Sequence, residues 1–246
     1  MENKLISIIF AAGRGTRLIP LTDVTPKPLL EAGGKSLIEW NMQRVVGRVD
    51  KFVIVIGYLG QQIIDKFGYE YMGKPVEYAW QKNPKGGNLD SLRSAIFTTN
   101  SENQEANFII QHCDDIHGKD TFSNLFKAFG DKPDQAYLSA KVVDDREKLK
   151  SFGVFRVSEE NYFKEVVEKP QEFVSNLVNI AVSYFPNEVI NFVPKEENLF
   201  EKEWFITDMF NNYGQKFPIL VLPTTADWLP VTSITDLENL RKANLN

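Results

Sequence analysis

The chain has 246 residues, 43% hydrophobic and 25% charged, a globular composition with room for one large α/β core. Its net charge of −5 is opposite in sign to the basic surplus of nucleic-acid binders, so no nucleic-acid partner is expected. A single cysteine, Cys113, excludes an intrachain disulfide, and two histidines argue against a histidine-rich zinc site.

The longest apolar run near the start, Leu5 to Ala12, follows Glu2 and Lys4 and leads straight into Arg14 and Arg17. It is short for a signal peptide and reads as a buried strand. No segment reaches the roughly 20 apolar residues of a membrane span, so no membrane is expected and the cytoplasm is the default compartment.

Apolar runs then alternate with helix-periodic stretches. Strands are predicted at 5–10, 52–56, 76–80, 108–111 and 135–141, with helices near 37–46, 61–67, 89–97 and 121–129. This alternation predicts an α/β fold: a three-layer sandwich around a mainly parallel central sheet. The second half changes rhythm. Gly153–Val157 and 162–167 flank Ser158 to Asn161 as a β-hairpin insertion, followed by a strand at 180–185, two helices and a strand at 217–222. No glycine-serine linker, repeat or low-complexity stretch divides the halves, so 1–246 is read as one domain.

In open α/β sheets ligands gather at the carboxyl ends of strands. The first strand runs into Ile9-Phe10-Ala11-Ala12-Gly13-Arg14-Gly15-Thr16-Arg17-Leu18. Two glycines allow close approach of the main chain, and consecutive N–H groups can surround an anion. A dinucleotide fingerprint needs a third glycine where Leu18 stands, and an acid near the second strand's end, where Gly57 and Tyr58 stand. A P-loop ending at Gly34-Lys35-Ser36 needs its first glycine where Leu29 stands. Neither motif fits. The distinguishing feature is two cations, Arg17 and Lys27, the latter in Pro26-Lys27-Pro28-Leu29-Leu30. Fixed cations suit a triphosphate being cleaved, because charge builds on the leaving pyrophosphate.

The gapless string AAGRGTRLIPLTDVTPKPLL resembles the signature of the sugar-phosphate nucleotidyltransferase family, whose thymidylyl- and uridylyltransferases have a Rossmann-like sheet. The resemblance implies that Ala11, Ala12, Gly13, Gly15, Thr16 and Arg17 wrap the nucleotide phosphates. It also implies that Arg17 and Lys27 are the catalytic cations. Gln81 and Gly86, five apart after the third strand, resemble the family pair that reads a pyrimidine, so UTP or dTTP is the expected nucleotide. Asp114, at the end of Phe108-Ile109-Ile110-Gln111-His112-Cys113-Asp114-Asp115, aligns with the family's metal aspartate and implies Mg2+. Asp115 falls at the polar residue after it and is expected on the nucleotide. His112 and Cys113 read as strand-end packing.

Further along, Ser151-Phe152-Gly153-Val154, Glu165-Val166-Val167-Glu168-Lys169-Pro170 and Val178-Asn179-Ile180-Ala181 resemble the family's sugar-side motifs. They imply that Gly153, Glu168, Lys169 and Asn179 hold a sugar 1-phosphate. Glu203-Trp204-Phe205-Ile206-Thr207-Asp208 resembles a helix start near the sugar pocket. On this reading, residues 1–118 mainly bind the nucleotide and 119–246 mainly the sugar phosphate. The resemblance departs at Trp228-Leu229-Pro230-Val231-Thr232-Ser233, where Pro230 replaces the second metal-binding aspartate. Asp227 is the nearest carboxylate and is expected to assist the metal.

The expected reaction is nucleoside triphosphate plus sugar 1-phosphate giving nucleotide sugar and pyrophosphate. Two alternatives stand beside it. One is an enzyme of the same fold with a non-sugar phosphate acceptor, such as phosphocholine or a phosphonate. The other is a non-catalytic subunit that binds a nucleotide sugar, for which Pro230 speaks. The sugar and the oligomeric state stay open, a homo-oligomer included.

Overall fold

The computed structural model describes residues 4–83, 85–195 and 204–243. It opens on β1 (Leu5–Phe10), an apolar run suited to a strand covered on both faces. Three 3-10 turns follow, Thr16–Leu18, Leu21–Asp23 and Lys27–Leu29, and then a small hairpin of β2 (Glu31–Ala32) and β3 (Lys35–Ser36). Helix α1 (Leu37–Val45) begins at a capping box, with the Ser36 N–H and hydroxyl donating to Glu39 at 2.9 and 2.6 Å. The alternating half continues through β4 (Lys51–Ile56), α2 (Gly60–Phe67), β5 (Glu70–Tyr71), β6 (Lys74–Trp80) and α3 (Gly87–Phe97). It closes with β7 (Asn107–His112), β8 (Asp115–His117), α4 (Lys119–Asp131) and β9 (Ala136–Val142). The rest comprises α5 (Arg146–Leu149), β10 (Gly153–Val157), β11 (Phe163–Glu168), β12 (Leu177–Phe185), α6 (Ile206–Gly214), β13 (Ile219–Thr224), β14 (Trp228–Pro230) and α7 (Ile234–Lys242).

Strands β6, β4, β1 and β7 lie side by side and parallel. Next to them β12 runs antiparallel to β7, β9 runs antiparallel to β12, and β13 pairs parallel with β9. The sheet is therefore mainly parallel, with β12 reversed within that row, and the α/β sandwich expected from the alternating runs is the observed fold. Successive residues of β1 serve opposite layers, as pleating requires. Ile8 and Phe10 join the core beneath α3 and α6, while Ile9 joins the core beneath α1, α2 and α4.

The β10–β11 hairpin departs from this sheet along the first half of β12. Val154 pairs with Val178, whereas Val182 to Phe185 pair with β7. The change of partner coincides with a register shift between Asn179 and Ser183, where Ala181 has a left-handed φ of 57°. The Asn179 side-chain oxygen accepts the Ala181 N–H at 3.0 Å and so secures a backbone conformation that non-glycine residues rarely adopt.

The short β2–β3 hairpin, β5 and α5 have no counterpart in the sequence pattern, and neither does a ribbon at the end of β7. Asp115, Ile116 and His117 of β8 pair antiparallel with Pro230, Leu229 and Trp228 of β14, forming a two-stranded ribbon beyond the end of β7. Helix α7 then packs Leu237 and Leu240 against Leu18, Trp40 and Ile116, beneath the glycine-rich loop.

Candidate active site

Phe10, Gly57, Gln81 and His112 stand at or just past the carboxyl ends of β1, β4, β6 and β7, and together they line a cavity of about 680 Å³. The glycine-rich loop lines the same cavity through Ala12, Gly13, Gly15, Thr16 and Arg17, with Ala12 packed against Gly57. Buried Ala11 anchors the loop by donating its N–H to the Val55 carbonyl at 2.9 Å. Gly15 needs to be glycine twice over. Its φ is 66°, and a Cβ would lie 3.0 Å from Lys27 Cβ and 3.1 Å from Thr22 Cγ2. Beside Gly13 there is open space, which leaves its main chain accessible to a ligand. Arg14 lies over the Tyr58 ring at 5.2 Å, while exposed Arg17 lines both this cavity and an adjoining one of about 600 Å³.

Lys27 lines the same cavity and forms an ion pair with Asp114. Burial pushes the Asp114 carboxyl up, but the charge and hydrogen bond of Lys27 win and hold it below the usual aspartate value. Asp115 forms no ion pair among the described residues, and the more distant Lys27 charge does not offset its burial. Burial and the adjacent Asp114 charge push it up to about 8. His112 tilts against Phe10 with ring centroids 5.5 Å apart, and burial pushes its ring below the ordinary histidine value. The ligand atoms of His112, Asp114 and Asp115 all lie within 4.8 Å of one another. The Asp114 carboxylate, a neutral imidazole and the Asp115 carboxyl, once it gives up its proton to the ion, fit a small divalent cation that draws its remaining ligands from phosphate and water.

Asp114, expected at the metal, stands in this cluster together with its neighbours Asp115 and His112. His112, read as packing, faces the carboxylates; Cys113 is buried in the core. Asp227, expected to assist the metal, lies outside the cluster. It is exposed, and its carbonyl accepts the Gly118 N–H at 2.8 Å, three ladder positions beyond the Asp115–Pro230 pair.

On the far side of the cavity, Gln81 is held by its own chain. Its amide nitrogen donates to the carbonyls of Gly87 and Asn83 at 2.8 and 3.3 Å, and its oxygen accepts the Ser91 hydroxyl at 2.8 Å. Gly87, with φ of 68°, lines the cavity where Gly86 was expected. Gly86 makes room for Asp90 instead, since a Cβ there would come within 2.5 Å of Asp90 Cβ. Asp90 is fully buried and accepts from Arg93 Nε at 2.6 Å, so the turn rests on a desolvated ion pair.

Gly153, Glu168, Lys169 and Asn179 belong to the hairpin and β12, and none of the four lines the 680 Å³ cavity. Gly153 pairs with Glu168 across the hairpin, and a Cβ on it would lie 3.0 Å from Glu168 Oε1. Glu168 keeps an exposed side chain, yet burial of its carboxyl lifts it above the ordinary glutamate value, against a Thr207 hydrogen bond and the Lys169 charge. Lys169 has a left-handed φ of 46° and donates its N–H to the Phe152 carbonyl at 3.0 Å. Phe152 in turn meets Trp228 edge-on at 4.8 Å. Both rings line the 600 Å³ cavity with Arg17, so that cavity connects the phosphate loop to the start of the hairpin. Thr207 and Asp208 begin α6, while Glu203 lies outside the described residues.

A family model described as nucleotidyl transferase matches residues 6–244. This chain belongs to the nucleotidyl transferase family. Among this nucleotidyl transferase's relatives is a UTP–glucose-1-phosphate uridylyltransferase of Haloferax volcanii, 33% identical over 173 residues, or 70% of this chain and 68% of that protein. A mannose-1-phosphate guanylyltransferase catalytic subunit beta of Drosophila pseudoobscura is 28% identical over 92% of this chain and 58% of its own length. The bifunctional protein GlmU of Methanocaldococcus jannaschii is 27% identical over 96% of this chain and 53% of its own length. The chain thus spans little more than half of these last two relatives. A solved UDP-glucose pyrophosphorylase with bound UDP-glucose superposes with a TM-score of 0.83 at 19% identity over 97% of each chain, a likeness of fold. Among the described residues no helix is long and apolar enough to cross a membrane.

Proposed function

We propose that this nucleotidyl transferase joins a sugar 1-phosphate to a pyrimidine nucleoside triphosphate, releasing pyrophosphate and a nucleotide sugar with Mg2+ as cofactor. One observation carries the reading. The glycine-rich loop, Arg17, the Lys27–Asp114 pair, Gln81 and Gly87 all line a single cavity. The 680 Å³ volume suits a nucleotide.

In this reading the loop N–H groups around Gly13 and Gly15 bind the phosphates. An oxygen of the sugar phosphate forms a bond to the α-phosphorus while the α–β bridging bond breaks. No base is needed, because a phosphate monoester is already mostly dianionic at pH 7. Arg17 and Lys27 stabilise the charge that accumulates on the departing pyrophosphate. Asp114, Asp115 and His112 would hold the cation, which neutralises phosphate charge when bound. The donors of Gln81 are already engaged, so its oxygen is the atom left to accept a ring N–H of the base. Gly153, Glu168, Lys169 and Asn179 take the sugar 1-phosphate. Residues up to 118 serve mainly the nucleotide and later ones mainly the sugar, except that Thr232 also lines the nucleotide cavity.

Pro230 favours a second reading, a subunit that binds nucleotide sugar without making it. A panel of sugar 1-phosphates, phosphocholine and a phosphonate, each with UTP, dTTP, ATP and GTP at millimolar Mg2+, separates the readings by pyrophosphate release. Release with a sugar phosphate and UTP or dTTP supports synthesis. Nucleotide-sugar binding without release from any pair supports the second reading.

A further inference from the structure

We propose that Lys27 and a divalent cation compete for Asp114, so that the protein takes up metal and triphosphate together rather than metal first. This rests on the reading that the cavity holds a metal-bound triphosphate. Lys27 sits in a 3-10 turn between Pro26 and Pro28, which stiffens its main chain. Its stem lies against the glycine loop, with Cβ and Cδ 3.0 and 3.5 Å from where a Gly15 Cβ would be. From there the ammonium reaches Asp114, with only 13% and 29% of the two side chains exposed. The cation is therefore parked on the carboxylate that would otherwise face an incoming metal.

A lysine ammonium is a compact charge on a flexible stem. It and a divalent ion repel each other, and in this half-buried place water screens them weakly. Both can remain only if an anion lies between them. The triphosphate is that anion, because its oxygens receive Lys27 when Asp114 turns to the metal. Without nucleotide, Lys27 holds the carboxylate and the free ion binds weakly. Lys27 thus does two things: it contacts the phosphates during the reaction, and it guards the metal position beforehand.

The probe is Mn2+ alone, measured by electron paramagnetic resonance of the free ion and by calorimetry. Lys27→Gln is expected to bind Mn2+ at least tenfold more tightly than the parent in the absence of nucleotide. Adding Asp114→Asn should abolish that gain. With a non-hydrolysable UTP analogue the order should reverse, because the variant no longer offers a cation to the phosphates. Lys27→Arg should behave as the parent, and Lys27→Met repeats the test should Lys27→Gln fold poorly. Mn2+ should also raise the melting temperature of the uncharged variants more than that of the parent. An uncharged variant that binds free Mn2+ no better than the parent, while Asp114 still governs Mn2+ binding with nucleotide present, overturns the proposal alone. If Asp114→Asn leaves Mn2+ binding unchanged with nucleotide, the metal reading itself fails and this proposal with it.

Discussion

Pro230 stands directly across the β8–β14 ladder from Asp115, and the adjacent Val231 N–H donates to the Asp114 carbonyl at 3.0 Å. The two positions are cross-strand neighbours, so a carboxylate on β8 serves nearly the same space as one on β14. Asp115→Asn is expected to raise the Mg2+ concentration for half-maximal rate by roughly tenfold, the scale of lost support at a metal site. Pro230→Asp should lower it, and the double variant should recover toward the parent. Rate against Mg2+ concentration for the four proteins checks this, and no recovery in the double variant counts against a shared role.

Arg17 and Lys27 line the cavity from separate turns, one exposed and one largely buried. If each stabilises charge that develops as pyrophosphate leaves, Arg17→Ala and Lys27→Ala should lower kcat more than they raise KM. The expected loss is on the order of 10²-fold, or roughly 3 kcal/mol, for each. Steady-state kinetics decide it; a kcat within threefold of the parent removes that residue from the mechanism.

Gln81 gives the base a directional test. Its amide nitrogen already bonds two main-chain carbonyls, and Ser91 fixes the oxygen. An acceptor alone favours UTP or dTTP, which carry a ring N–H, over CTP and ATP, which present a bare ring nitrogen there. Ser91→Ala frees the amide, and the UTP-to-CTP ratio of kcat/KM should fall by about tenfold, the scale of one lost hydrogen bond. A parent enzyme that prefers CTP contradicts the assignment.

Asp236 secures α7, and through it the underside of the loop. Its carboxylate accepts from the Thr232 N–H, the Thr232 hydroxyl and the Ser233 N–H, each at 2.8 Å. Burial pushes this carboxyl up, but the Thr232 and Ser233 hydrogen bonds outweigh it and bring it below its ordinary 3.8. The stabilisation is therefore fully present above about pH 4 and fades as pH falls through the lowered folded-state value. Asp236→Ala should cost about 1 kcal/mol at pH 7, as loss of a cap does, and should show less acid sensitivity below pH 4 than the parent. Urea unfolding at pH 7 and pH 3 measures both.

What the sequence showed and what it hid follow from how far apart the contacting residues lie. The glycine-rich loop was legible as a unit because Gly13, Gly15 and Arg17 lie within five residues, with Lys27 only ten residues beyond Arg17. Strands β1 and β4 were legible because both faces are buried and their runs are almost wholly apolar, interrupted only by Ser7 in β1 and the opening Lys51 of β4. The β8–β14 ribbon was not. Its strands are three residues each and lie more than a hundred residues apart, too short for any periodicity to appear. Asp227 is close to Pro230 in sequence but not to the carboxylate cluster in space, because each step back along β14 leads away from Asp115. His112 is a different case: it lies only two residues from Asp114, and it is the turn between β7 and β8 that brings its ring to the carboxylates. Gly87 escaped notice beside Gly86 because only its positive φ distinguishes it. The bend at Ala181 shows only in its left-handed φ of 57°.

The most direct measurement is a phosphorus NMR time course of the protein with UTP, a sugar 1-phosphate and Mg2+. The account predicts that the UTP α-phosphorus signal moves into a diphosphate ester coupled to the sugar-phosphate phosphorus, while pyrophosphate appears in equal amount. The signal should vanish in Asp114→Asn and fall about a hundredfold in rate in Lys27→Ala. Inorganic phosphate in place of pyrophosphate, or a sugar-phosphate signal unchanged with every sugar tried, would contradict it.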